Sequence, residues 1–187
     1  MEHQQLNLFP DFYDKTSKPE QLVMDSEALQ KWKNQIFRYQ QKQRESQAPQ
    51  QGTLFDLAPN HCDSDAIDPF ILKLQPSQFY RMPEQGDSIC VYLVIDNALP
   101  ILLYVGETKR TPKQRWISHD CQEYIINYIE MHRRYELPVE VATAFWWDTP
   151  PDRKARQKLE RELILKWRSP FNKENWELWC QPFGKFS

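Results

Sequence analysis

Residues 89–106 read ICVYLVIDNALPILLYVG. Ile89 to Ile95 is one apolar run and Ile101 to Val105 another, and Asp96-Asn97-Ala98-Leu99-Pro100 between them is turn-forming. The stretch is predicted to fold as a hairpin of two buried strands. If the loop is symmetric about Ala98, Tyr92 and Tyr104 stand directly opposite each other, because they are equidistant from 98. Cross-strand partners share a face, so two phenols are expected to converge. Gly106 is expected to end the second strand.

Beyond the hairpin, Thr111-Pro112-Lys113-Gln114 supplies the cap, the first-turn proline and the N3 glutamine of a helix start. On that helix Arg115 and His119 are four apart and share a face. A second helical stretch carries Tyr124, Ile125, Tyr128 and Ile129. Val139, Val141, Thr143, Phe145 and Trp147 then alternate with small or aromatic neighbours, as in a third strand. Thr149-Pro150-Pro151-Asp152 opens a last long helix, which runs to about Arg168 and stops before Pro170.

That last helix holds a carboxylate in an apolar position. At about 100° per residue, Leu163, Ile164 and Trp167 fall within about 60° of Glu160, whereas Glu162 faces the other way. A carboxylate on a core-facing stripe is costly unless it is paired, hydrogen-bonded or bound to a metal. The ordinary alternative is a salt bridge to an arginine. Glu160 nevertheless belongs with the two tyrosines and the Arg115/His119 pair, and each of these has a task in phosphodiester hydrolysis. A carboxylate can hold a hard divalent cation, an arginine can stabilise phosphate oxygens, and a phenol can orient or activate water.

These residues resemble the GIY-YIG nuclease superfamily. Cys90-Val91-Tyr92 stands where the family has Gly-Ile-Tyr, and Tyr104-Val105-Gly106 stands for Tyr-Ile-Gly. Arg115-Trp116-x-x-His119 is similar to the Arg and His on the first helix of the intron-homing members. Glu160-x-x-Leu163-Ile164 and Pro170-Phe171-Asn172 are similar to the family's Glu-x-x-Leu-Ile and terminal Pro-x-Asn. The resemblance covers roughly Ile89 to Asn172, and the departure is Cys90 in place of glycine. It implies that Glu160 ligates Mg²⁺ or Mn²⁺, that Tyr104 is the leading candidate for general base, and that Tyr92 positions water or phosphate. It also implies that Arg115 stabilises the phosphate, His119 assists proton transfer or binds phosphate, and Asn172 braces the site. Taken singly, Tyr92 and Tyr104 also suit a plain core strand, and His119 suits a plain surface.

The chain has 187 residues and a net charge of −2, too little positive charge for a protein that simply coats nucleic acid. From Lys109 to Lys173, however, 14 Lys/Arg stand against 9 Asp/Glu. Lys109, Arg110, Lys113 and Arg153 are the candidate substrate-binding cations, with DNA favoured over RNA. No apolar run approaches the roughly 18 residues of a membrane helix. The start lacks a secretory pattern, so a cytoplasmic location is expected. Cys62, Cys90, Cys121 and Cys180 form no C-x-x-C pair and suit reduced thiols.

Residues 1–65 are Gln-rich and polar, and are expected to form an extension with one amphipathic helix over about 26–46, where Leu29, Trp32, Ile36 and Tyr39 recur. The extension carries Gln5-Leu6-Asn7-Leu8-Phe9 and Gln51-Gly52-Thr53-Leu54-Phe55. Both resemble the Q-x-x-L-F peptide with which bacterial replication and repair enzymes engage the sliding clamp, and this makes Gln5, Leu8, Phe9, Gln51, Leu54 and Phe55 candidate partner-binding residues. The alternative is that the Leu-Phe pairs pack on the chain's own domain, residues 66–187. The expected architecture is α+β, a small three-stranded antiparallel sheet flanked by helices. Two functional classes follow: a metal-dependent endonuclease, or a catalytically idle DNA-binding or clamp-tethered adaptor on the same fold.

Overall fold

The computed structural model describes residues 24–46, 63–76, 89–108 and 120–180. Its centre is an antiparallel sheet of β1 (Leu74–Pro76), β2 (Cys90–Asp96), β3 (Ile101–Thr108) and β4 (Val141–Trp146), in the order β1-β4-β2-β3. The helices are α1 (Ser26–Ser46), α2 (Asp120–Arg134), α3 (Arg153–Trp167) and the short α4 (Trp176–Trp179). The architecture is the expected α+β, but with four strands among the described residues where three are anticipated. The added strand, β1, is Leu-Gln-Pro paired to Ala142–Ala144 at the sheet's edge. Three residues are too few to show alternation, and a proline is tolerated there because an edge residue need not donate to a ladder.

The hairpin forms as anticipated, but its register differs. Asp96 pairs with Ile101 and Ile95 with Leu102, around a four-residue turn, Asn97–Pro100. The turn is therefore not centred on Ala98. Continued regularly, this register would pair Leu93 with Tyr104 and leave the tyrosines on opposite faces. Instead the ladder shifts by one residue after Ile95, so that Val94 pairs with Tyr104 and Tyr92 with Gly106. Leu103 is the extra residue, a bulge that returns Tyr104 to the face of Tyr92. The strand also runs past Gly106 to Thr108.

Alternation then separates two cores. Tyr92, Val94, Ile101 and Leu103 pack against Trp32 and Ile36 of α1 and Tyr124, Ile125 and Tyr128 of α2. Val91, Leu93, Ile95, Leu102 and Val105 pack against Leu159, Leu163, Ile164 and Trp167 of α3. Asp152 caps α3, accepting from Ala155 N–H at 2.8 Å. The helix ends with Arg168 in the left-handed region, φ 48°, and the Arg168 guanidinium lies 4.4 Å from the centre of the Tyr39 ring. After Asn172 the chain packs down as well: Trp179 Nε1 donates to Arg168 O (2.7 Å) and Trp32 Nε1 to Trp179 O (3.1 Å).

Helix α1 begins where the sequence indicates, with Asp25 Oδ1 accepting from Ala28 N–H. Its stripe is not wholly apolar, because Lys33 and Gln40 are buried with Leu29, Trp32 and Ile36. Lys33 Nζ lies 2.7 Å from Asp96 Oδ2, which also accepts from Tyr128 OH at 2.7 Å. Asp96 Oδ1 accepts from Ala98 N–H and Glu140 N–H. A buried carboxylate with this many donors is fully compensated, and breaking such a pair typically costs about 3–5 kcal/mol.

His132 completes the network. Its Nδ1 lies 2.8 Å from the Tyr128 carbonyl, which can only accept, so Nδ1 carries the proton and Nε2 is left to accept from Lys33 Nζ at 3.3 Å. Burial, aided by the Lys33 charge, holds His132 below its ordinary value of 6.5, although the Tyr128 carbonyl and Asp96 act in the opposite sense. The folded state thus keeps the ring neutral, whereas the unfolded chain takes up a proton near pH 6.5. Stability from this group is present above that pH and is lost as pH falls below it. Thermal melts from pH 7.5 to 5 should show a drop in Tm that is shallower for His132→Gln than for the natural chain; equal slopes would show that the histidine does not contribute.

Candidate active site at the free edge of the sheet

Strand β3 lies at the edge of the sheet, so its outward N–H and C=O groups have no neighbouring strand among the described residues. They are satisfied residue by residue from elsewhere. Gln40 takes both the N–H and the C=O of Leu102, at 2.7 and 3.0 Å. Phe171 N–H donates to Leu103 O at 2.9 Å. Asn172 accepts from Val105 N–H through Oδ1 and donates to Val105 O through Nδ2, both at 2.9 Å. Ser169 Oγ donates to the same Oδ1 at 2.7 Å, which fixes the orientation of the Asn172 amide. Finally, Glu160 Oε1 accepts from Glu107 N–H at 3.0 Å.

These contacts explain the anomalous carboxylate. Glu160 is half-buried between apolar neighbours because α3 lies on one face of the sheet and the side chain reaches the edge of β3. Its neighbour one turn earlier, Arg156, is buried and pairs with Glu107 through Nε (2.6 Å), while its Nη1 donates to the carbonyls of Pro150 and Pro151. Glu162 faces outward, 3.6 Å from exposed Lys158.

Tyr104 comes to the same edge from the other face. Its ring lies 5.9 Å from that of Tyr92, centre to centre, at 30°. The rings are neighbours on the diagonal of the ladder, and Gly106 makes this possible: a Cβ there would collide with the Tyr92 phenol. Burial, followed by the proximity of Tyr92, Cys121 and Glu160, pushes the Tyr104 phenol far above its ordinary value of 10. Here it is a hydrogen-bond donor at neutral pH, and serving as a base requires positive charge beside it to offset that rise.

Tyr104, Glu160 and Asn172 line one cleft of about 380 Å³. Cys121, Tyr124 and Phe171 form its apolar wall, and Gln157, Arg161, Lys173 and Glu174 its polar wall. Among the described residues, no three His, Cys, Asp or Glu gather into a ready-made metal cage. The carboxylate of Glu160 nevertheless suits a hard cation such as Mg²⁺, which binds through one or two carboxylates and keeps most of its waters.

The structure thus brings Tyr104, Glu160 and Asn172 together with Tyr92 behind Tyr104. Arg153 is exposed in the first turn of α3 and does not line the cleft. Arg115, His119, Lys109, Arg110 and Lys113 lie outside the described residues, as do Gln5, Leu8, Phe9, Gln51, Leu54 and Phe55. Arg161 and Lys173, cations on the cleft wall, are absent from the sequence-derived candidates. They follow Glu160 and Asn172 directly, and neither lies in an apolar pattern that would mark it.

The edge strand of the antiparallel sheet thus carries a tyrosine on which a carboxylate and an asparagine converge, the residue types that the GIY-YIG resemblance leads one to expect. The family comparison agrees: residues 88–175 match the GIY-YIG catalytic domain, and this part of the chain belongs to the GIY-YIG nuclease superfamily. No curated protein and no solved structure matches the chain. Cys90, where the family has glycine, is an ordinary strand residue paired to Thr108, and burial pushes its thiol up to about 12. No helix among the described residues is long and apolar enough to cross a membrane.

Gly106→Ala should be the more damaging of the two glycine-site changes. The added methyl would displace the Tyr92 ring from Tyr104, so cleavage is expected to fall by roughly 100-fold, in line with the cost of misplacing a reacting group by about 1 Å. Cys90→Gly should change cleavage little. Parallel nuclease assays of the two variants check this, and an active Gly106→Ala chain would refute the placement of the tyrosines.

Proposed function

We propose that this protein is a divalent-metal-dependent endonuclease that hydrolyses DNA phosphodiester bonds, acting in DNA repair, recombination or replication. The observation that carries the reading is the meeting of Tyr104, Glu160 and Asn172 in one cleft of a GIY-YIG domain. Glu160 is the residue that holds Mg²⁺ or Mn²⁺. The bound cation supplies Lewis acidity at the scissile phosphate and lowers the pKa of groups beside it.

In hydrolysis a water oxygen attacks phosphorus, the bond from phosphorus to one sugar oxygen breaks, and the departing oxygen takes up a proton. Tyr104 is the group assigned to receive the water's proton, with Tyr92 orienting its ring. Arg115 offsets charge on the phosphate oxygens, and His119 assists proton transfer or binds phosphate. Asn172 keeps β3 against the chain after α3, so the spacing of Tyr104 and Glu160 holds. Arg161 and Lys173 on the cleft wall, with Lys109, Arg110, Lys113 and Arg153, are the cations assigned to the DNA backbone.

The alternative, an idle DNA-binding adaptor, is disfavoured by a half-buried carboxylate presented to a cleft, which an anion-binding surface would do better without. Glu160→Gln should abolish Mg²⁺- or Mn²⁺-dependent cleavage and leave DNA binding largely intact, while Glu162→Gln should be nearly silent. In the Glu160→Gln background, Arg161→Ala and Lys173→Ala should each weaken duplex binding and lower its salt slope by about one. Equal loss of cleavage from Glu160→Gln and Glu162→Gln would contradict the assignment.

The two Q-x-x-L-F segments are proposed as tethers to a bacterial sliding clamp. Two hooks on one chain make the second contact intramolecular and raise apparent affinity. In the full-length chain, alanines at Leu8-Phe9 or at Leu54-Phe55 should weaken clamp binding, and alanines at both should eliminate it without lowering Tm. Titration against the clamp and melts of the double variant separate tethering from packing; no binding by the intact chain ends the idea.

A further inference from the structure

Helix α1 lies outside the stretch that matches the family, yet its buried stripe ends on a polar residue at the catalytic strand. Gln40 is fully buried. Its Oε1 accepts from Leu102 N–H at 2.7 Å, and its Nε2 donates to Leu102 O at 3.0 Å and to Trp167 O at 2.9 Å. A buried carboxamide satisfied in this way acts as a short substitute strand at the open edge of β3, and ties that edge to the end of α3.

The position of Leu102 gives this contact its consequence. Leu102 is the last residue in the turn-side register, and the ladder shift follows directly. Gln40 holds the strand on one side of the bulge and Asn172 holds Val105 on the other, while Phe171 N–H takes the carbonyl of Leu103 between them. Without the bulge, Tyr104 would turn to the face of Leu93, because a one-residue slip exchanges the faces of every side chain in the strand. Trp167, the other end of the Gln40 contact, is on the helix that carries Glu160.

We propose that Gln40 is a positioning residue for the nuclease reaction: from outside the matched domain it fixes the bulge at Leu103, and so aims Tyr104 at the cleft that Glu160 enters. The proposal rests on the endonuclease reading. Helix α1 is then part of the catalytic scaffold, and its contribution is distinct from that of the apolar residues on the same stripe, which stabilise without setting register.

The test uses the full chain with Gln40→Met, which keeps length and volume and removes all three hydrogen bonds, beside Ile36→Val on the same stripe. Assays run well below both melting temperatures separate kcat from KM, and amide exchange is followed at Leu102 and Val105. Gln40→Met is expected to lower kcat on the order of 10- to 100-fold with KM little changed, and to speed exchange at those two amides ahead of global unfolding. Ile36→Val should do neither. If Gln40→Met does not fold, Gln40→Asn, which keeps the carboxamide but draws it back by one methylene, should show the same fall in kcat and the same selective exchange at Leu102 and Val105.

A kcat equal to that of the natural chain, or an equal fall in the Ile36 variant, would overturn the proposal. A natural chain that cuts no DNA defeats the endonuclease reading instead. The exchange experiment then decides separately whether Gln40 holds the bulge: unchanged protection at Leu102 and Val105 rejects it, and selective loss supports it.

Discussion

Everything at the cleft depends on one extra residue in an edge strand. The four-residue turn at Asn97–Pro100 sets a register that, continued regularly, would send Tyr92 and Tyr104 to opposite faces. The bulge at Leu103 reverses this over a single residue. Bulges leave backbone groups unpaired, and on an edge strand no neighbouring chain is present to restrain them. The restraint comes from side chains that imitate a strand: two carboxamides, Gln40 and Asn172, each bind both polar groups of one residue. Glu160 continues the same row at Glu107. The carboxylate assigned to the metal is thus also a member of the edge, which couples its position to that of Tyr104.

The opposite end of the hairpin is organised by Asp96. One oxygen receives two backbone N–H groups from the turn and from the approach to β4, and the other receives Lys33 and Tyr128. Such a network contributes little net stability over an apolar core but penalises alternative arrangements, because any of them strands a buried charge. It holds α1 against the hairpin at Lys33, while Gln40, two turns further along, holds it against β3. The two polar residues therefore fix where along the sheet the helix docks, which the apolar contacts of Trp32 and Ile36 leave less sharply defined.

The hairpin, α1, β4 and α3 are legible because their patterns are long and the helix caps are explicit. Glu160 was legible as a violation: a charge within about 60° of Leu163, Ile164 and Trp167 requires a partner. Gln40 presents the same kind of violation, lying within about 80° of Leu29, Trp32, Lys33 and Ile36 on a helical projection. It escapes notice because an amide on an apolar stripe is a weaker anomaly than a carboxylate, and because Tyr39 beside it competes for the stripe. The bulge was not legible. Whether a turn spans four residues or five depends on how Asp96 caps it, and Asp96 is committed to partners more than 30 residues away. The three-residue β1 carries no periodicity at all, and its pairing is a consequence of where β4 lies.

The two glycines of the family signature are not equivalent here, and the reason is steric. Gly106 stands across the ladder from Tyr92, and its missing side chain is the space that the phenol occupies beside Tyr104. Cys90 stands across from Thr108 at the end of the paired region, in ordinary strand conformation, and its side chain enters the core. The glycine at 106 clears space for a tyrosine ring, whereas position 90 asks only for an extended backbone and takes a small apolar residue that adds buried surface. The shift in register sharpens the distinction, because it is the bulge that brings Gly106, rather than Val105, opposite Tyr92.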